Sequence, residues 1–105
     1  MSIIYTTIMN SRDGKRGKYY LMDRALKHGA TEIGVSKAKD KRLFVVYQGK
    51  RINFGSKHGE TFFDHQDEKK RRAWLARHTK IRLKDGRLAH KVKTQASFWA
   101  SAILW

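Results

Sequence analysis

The side chains best suited to catalysis or metal binding cluster in one stretch: His58, Glu60, Asp64, His65 and Asp67. Imidazoles and carboxylates of this kind can ligate a divalent ion or serve a nuclease as acid and base. Their spacing does not bring two ligands onto one helical face, and Asp64 and Asp67 stand where helix N-caps belong. His78 reads as a helix-end residue matched to the dipole. A second candidate is Phe54-Gly55-Ser56-Lys57, a Gly-Lys loop after a strand-like run. The Gly-x-x-x-x-Gly-Lys-Ser/Thr spacing of a phosphate cradle is missing, so the loop reads as a structural turn. With no Cys, the chain has no thiolate nucleophile, no disulfide framework and no Cys-based zinc site. The residues point to a non-enzymatic protein with no catalytic residue, no metal and no cofactor.

Charge carries the stronger signal. Among 105 residues, 24 Lys and Arg face 9 Asp and Glu, a formal net charge of +15. The cations come in groups: Arg12-Lys15-Arg16-Lys18, Lys37-Lys39-Lys41-Arg42, Lys69-Lys70-Arg71-Arg72, and Arg77-Lys80-Arg82-Lys84. Such a surplus favours polyanions or acidic protein surfaces, because neutralising phosphates releases their condensed counterions. The residues expected to meet nucleic acid or an acidic partner are Arg12, Lys15, Arg16, Lys18, Lys69, Lys70, Arg71, Arg72, Arg77, Lys80 and Arg82. Interleaved Tyr19, Tyr20, Phe44, Tyr47 and Phe54 could stack on unpaired bases, but Phe44 and Phe54 lie in strand-like runs, where burial is the usual outcome. No aromatic-strand motif of the common RNA-binding folds is present.

A third group is apolar. Thr94 to Trp105 carries no charged side chain and reads as a helix capped by Thr94 and apolar nearly all round. Phe98, Trp99, Leu104 and Trp105, with Trp74 upstream, are its expected anchors. They either close the core or fill a groove on a partner, where Trp is favoured. A membrane surface is a lesser candidate partner. No apolar run approaches the roughly 20 residues of a spanning helix. Met1 to Tyr5 lacks the basic start and apolar stretch of a secretory signal.

The elements that must position these residues follow from local pattern. Ile3 to Met9 is β-branched and aromatic, hence a strand. Asn10 to Lys18 reads as a basic loop with an Asp13-Gly14 turn. Leu21, Ala25 and Leu26 predict a short helix over 19–28, stopped by Gly29, and a short strand follows over 32–36. Arg42 to Tyr47 and Arg51 to Phe54 predict a hairpin joined through Gln48-Gly49-Lys50. Asp64 to Lys80 reads as one helix, acidic at its start and basic at its end, with Trp74 anchoring it on the hairpin. Ile81 to Lys93 is basic, with a second turn pair at Asp85-Gly86.

Taken in order, these pieces resemble a small uncharacterised basic protein family of large DNA viruses, those of algae and their relatives, and of some phages. The resemblance rests on Tyr47-Gln48-Gly49-Lys50, Ile52-Asn53-Phe54-Gly55 with Lys57, Asp64-His65-Gln66-Asp67 with Lys70-Arg71-Arg72, Leu75-Ala76-Arg77-His78, Phe98-Trp99 and Ile103-Leu104-Trp105. It covers roughly residues 42 to 105 and implies a viral setting rather than a reaction.

The expected fold is α+β: a small antiparallel sheet around the hairpin, a packed basic helix and a C-terminal apolar helix. A single domain is expected, with 1–41 as a less regular N-terminal extension, 42–93 as the hairpin–helix core and 94–105 as an apolar anchor helix. The expected function is that of a viral structural protein, a minor capsid or cement-type component of a larger assembly. Viral capsid proteins and nucleic acid are its expected partners, the virion its expected location, and the host cytoplasm its place during assembly. The alternative is a basic nucleic-acid-binding protein acting during infection with little sequence specificity.

Overall fold

The computed structural model describes residues 3–105. Its architecture is α+β, with three antiparallel strands in the order β1-β2-β3. Helix α1 (Arg12–Lys27) precedes β1 (Glu32–Val35), β2 (Lys41–Tyr47) and β3 (Lys50–Ser56). Two helices follow, α2 (Phe62–His65) and α3 (Glu68–His78). After a 3₁₀ turn at Ala89–Lys91, α4 (Ala96–Trp99) runs into a π-helical turn at Ala100–Leu104.

The sheet forms where β-branched and aromatic residues are concentrated. Leu43 pairs with Phe54, and Val45 with Ile52 and Ile33, all five facing one core. Tyr47 pairs with Lys50, leaving a two-residue loop of Gln48 and Gly49. Both loop residues have positive φ, 49° and 76°, as the hairpin turn that matches strand twist requires. On the opposite face Phe44 is buried beneath the Arg51 guanidinium, 4.0 Å from its ring centroid.

Against the core face lie Leu21 and Ala25 of α1, and Trp99, Ile103 and Leu104 of the C-terminal segment. Trp99, Ile103 and Leu104 are fully buried, so this segment closes the core. Its apolar girdle is what a helix surrounded by sheet and α1 needs. Gln95, not Thr94, stands at its N-cap position, without a side-chain capping bond, and the segment divides into α4 and the π turn, where Trp105 N–H donates to Ala100 C=O at 3.1 Å.

Four expectations are corrected. The strand over Ile3 to Met9 reduces to one parallel bridge, Ile4 to Glu32. Beyond it the chain turns to bury Ile8, and the Thr7 hydroxyl takes the Val35 N–H at 3.2 Å in place of a main-chain partner. The loop over Asn10 to Lys18 is largely helix. Ser11 caps α1 by accepting the Gly14 N–H at 3.0 Å. Gly14 marks a close approach, since a Cβ there would stand 1.7 Å from the Ile8 carbonyl oxygen. A kink at Gly17, where the Phe63 ring lies close, divides this first turn from the predicted helix.

The single helix over Asp64 to Lys80 is two. Gln66 adopts φ 55°, in the left-handed region, and Asp67 starts α3 by accepting the N–H groups of Lys69 and Lys70. Two carboxylates three residues apart thus serve two helices. Helix α3 has no fully buried residue and reaches the core through half-buried Trp74. Finally, the extension expected over 1–41 is part of the body. Met1 and Ser2 lie outside the described residues, but Ile3, Ile8, Leu21, Ala25, Ala30 and Ile33 all join the core, which is therefore not confined to 42–93.

Candidate functional site

The most organised polar arrangement surrounds Arg42. Its side chain is 4% exposed, which removes it from the surface group in which the sequence places it. Its five N–H donors all find acceptors. Nε and Nη2 grip Asp13 at 2.8 and 2.7 Å, while Nη1 and Nη2 grip Asp64 at 2.8 and 2.7 Å. Nη1 also donates to the Thr61 hydroxyl at 3.3 Å. Asp13 comes from the first turn of α1, and Asp64 from α2, where it also accepts the Thr61 N–H at 2.7 Å. Arg16 donates to the outer side of Asp64 at 2.6 Å, so two cations balance two anions.

Burial alone would lower the Arg42 pKa, but its bonds to Asp13 and then Asp64 outweigh it and raise the value. Burial would raise the Asp64 pKa, but bonds from Arg42 and Thr61 hold its carboxyl far below the ordinary 3.8. Bidentate charge-assisted pairs of this kind fix geometry as well as charge. The network joins α1, β2 and α2.

That commitment dissolves the histidine and carboxylate cluster. Asp64 is bound to Arg42, Asp67 caps α3, and His65 Nδ1 accepts the Asp67 N–H at 2.9 Å. His58 lies 3.5 Å from Asp40 on an exposed loop. Among the described residues, no three His, Asp or Glu side chains converge as metal ligands would.

The predicted basic residues part into two sets. Arg12 and Lys15 are exposed on α1, Arg16 is drawn to Asp64, and the Lys18 ammonium sits over the Tyr19 ring. On α3, Lys69, Lys70, Arg72 and Arg77 are exposed, as is Lys80 just beyond. Arg71 instead turns inward, donating to the Trp105 main-chain oxygen at 2.7 Å and to Glu68 at 3.0 Å. Arg82 is exposed and donates to the Gly86 carbonyl at 2.7 Å.

Between the two sets lie two hollows that meet at Gly59 and Glu60. A polar one of about 230 Å³ takes in Arg12, Arg16 and Lys57. A larger one of about 470 Å³ takes in Lys41, Arg77 and the rings of Trp74, His78 and Trp105. The sequence places Lys41 in a basic group, and Lys57 in a turn and in the motif resemblance but in no basic group. Its place beside Arg12 arises from tertiary folding and leaves no local signal.

The anchors also divide. Trp99 and Leu104 are core, and the Trp99 indole N–H donates to the Lys93 carbonyl at 2.7 Å. Phe98 is half-buried, edge-on to His28 at 5.3 Å. Burial, then Lys93, Lys27 and Arg24, push the His28 pKa below its ordinary 6.5. Trp74 lies between two rings, stacked on His78 at 4.0 Å and on Trp105 at 4.8 Å. Of the aromatics considered for base stacking, Phe54 and Phe44 are buried, Tyr47 packs on Trp99 and Tyr20 stacks on Phe63. Tyr19 stands out at 72% exposure.

Fold and site together define a small, strongly basic α+β protein with an internal charge clamp and an exposed cationic helix. Residues 31–78 are similar to a family described as a family of unknown function, DUF5754. The matched stretch runs from the start of the sheet to the last residue of α3. No curated protein and no solved structure matches the chain.

Proposed function

We propose that this chain is a non-enzymatic viral structural protein, a minor capsid or cement-type virion component. Its basic surface meets acidic shell proteins or packaged nucleic acid. The observation that carries the reading is how the charges are sorted. Asp13 and Asp64 are spent inside on Arg42, Asp67 on a helix end, and Glu68 and Asp85 on Arg71 and Arg87. Among the described residues, Lys69, Lys70, Arg72, Arg77 and Lys80 make no ion pair. A surplus of one sign on a small body favours association with polyanions. The viral setting itself comes from the motif resemblance between 42 and 105.

A second reading, a nucleic-acid-binding protein acting during infection, draws on the exposed cations of α3, which suit phosphates as well as carboxylates. Mass spectrometry of purified particles separates the two. A structural component is present at stoichiometric copy number. Absence from particles, with retention on immobilised DNA, leaves the second reading and removes the first.

A further inference from the structure

The function proposed above leaves the anionic partner open. We infer that α3 is a docking element for duplex nucleic acid, seated along the major groove with its cations on the flanking phosphates.

The helix is capped by Asp67 and holds a Glu68–Arg71 pair, yet its outward face carries unrelieved like charge. Lys69 and Arg72 lie three residues apart, and like charges at that spacing repel. None of its residues is buried. The body holds it by one row, in which Arg71 bonds to Trp105 and Trp74 stacks between Trp105 and His78. The rest of the surface faces outward: Lys69, Lys70, Arg72, Ala73, Ala76 and Arg77 are all exposed. A rod of 11 residues is about 16 Å long, and the major groove, about 12 Å wide, admits a helix. Ala73 and Ala76 slim the leading face, which they share with Lys69, while Arg72 lies to one side and Lys70 and Arg77 to the other. The two phosphate walls of a groove lie on both sides of such a rod, whereas a flat acidic protein patch would meet only one. A single strand would instead call for open aromatic faces, and both faces of Trp74 are already covered.

The test uses the full chain and its Lys69→Gln, Lys70→Gln, Arg72→Gln, Arg77→Gln variant, Gln being a good helix former. Fluorescence anisotropy follows binding to a 20-base-pair duplex, to one of its strands, and to heparin, across a salt series. Each lost phosphate contact weakens duplex binding about tenfold near 0.1 M salt, and the variant's salt slope falls by roughly three to four. Methyl green, which occupies the major groove, competes with the wild type, and netropsin, which occupies the minor groove, does not. Equal losses on all three probes, an unchanged duplex affinity, or competition by netropsin alone would overturn the inference. Wild-type binding to heparin without binding to duplex also overturns it, yet leaves the proposed function standing. Failure to bind any of the three removes the nucleic-acid part of that function as well.

Discussion

At the residue scale, Arg42 decides most. A buried ion pair is a weak source of net stability, but removing one partner strands the other's charge in a poor solvent. Arg42→Met leaves Asp13 and Asp64 facing each other without their shared cation. It is expected to cost about 3–5 kcal/mol in urea unfolding. The same network sets an acid limit. The Asp64 carboxyl is held below 3.8 in the fold, so its contribution is fully present above that ordinary value. It is lost as pH falls through the depressed folded value. Stability measured from pH 7 down to 3 should therefore begin to fall near pH 4, and Asp64→Asn should flatten that fall. None of this is legible in the sequence. Asp13 and Asp64 lie 29 and 22 residues from Arg42, and neither pattern nor spacing joins them. The run Lys69 to Arg72, by contrast, surrounds much of a helical turn, so that most of it must be exposed is legible, though not that Arg71 is the one turned inward.

At the element scale, the break between α2 and α3 matters most. Asp64 belongs to α2, where it closes the capping box with Thr61 and accepts from Arg42. The left-handed Gln66 lets Asp64 turn inward while Asp67 begins a fresh helix. Local propensity favoured continuity, and the demand of a buried guanidinium overrode it. The hairpin is legible because two runs rich in β-branched and aromatic residues flank a short Gly-containing turn. Helix α1 was missed over its first turn because Asp13-Gly14 has the composition of a turn, whereas the glycine is there for close contact with Ile8. Helix α3 depends on its anchor and its cap. Trp74→Ala removes both ring stacks and is expected to cost about 2–3 kcal/mol. Asp67→Ala is expected to cost about 1 kcal/mol. Hydrogen exchange checks both: amides of 68–78 lose protection in either variant, while those of β2 keep theirs in Asp67→Ala.

At the scale of the whole molecule, the C-terminal segment and the net charge pull in opposite directions. Fully buried Trp99, Ile103 and Leu104 knit the sheet to α1. Leu104→Ala is expected to cost about 2–5 kcal/mol, and removal of residues 98–105 to leave the chain unfolded by circular dichroism. Against this stands the self-repulsion of +15 charges in 105 residues. Salt screens that repulsion, and a bound polyanion adds its own stabilisation. Tm is therefore expected to rise with ionic strength in a non-binding salt, and further with heparin. A Tm that falls across the same series would show that repulsion does not limit this fold.

The sheet has two borders, and they are treated differently. The outer side of β1 is met by the bridge at Ile4 and by the hydroxyl of Thr7. Among the described residues the one strand paired with β3 is β2, and β3 carries Lys50 and Arg51 at one end and Lys57 just past the other. An open border is a template on which a second molecule can extend the ladder, and lysines along it are a common safeguard. Under the function proposed above, the positive surface has a second consequence: like charge along this border holds identical molecules apart and keeps a crowded pool from zipping into ribbons.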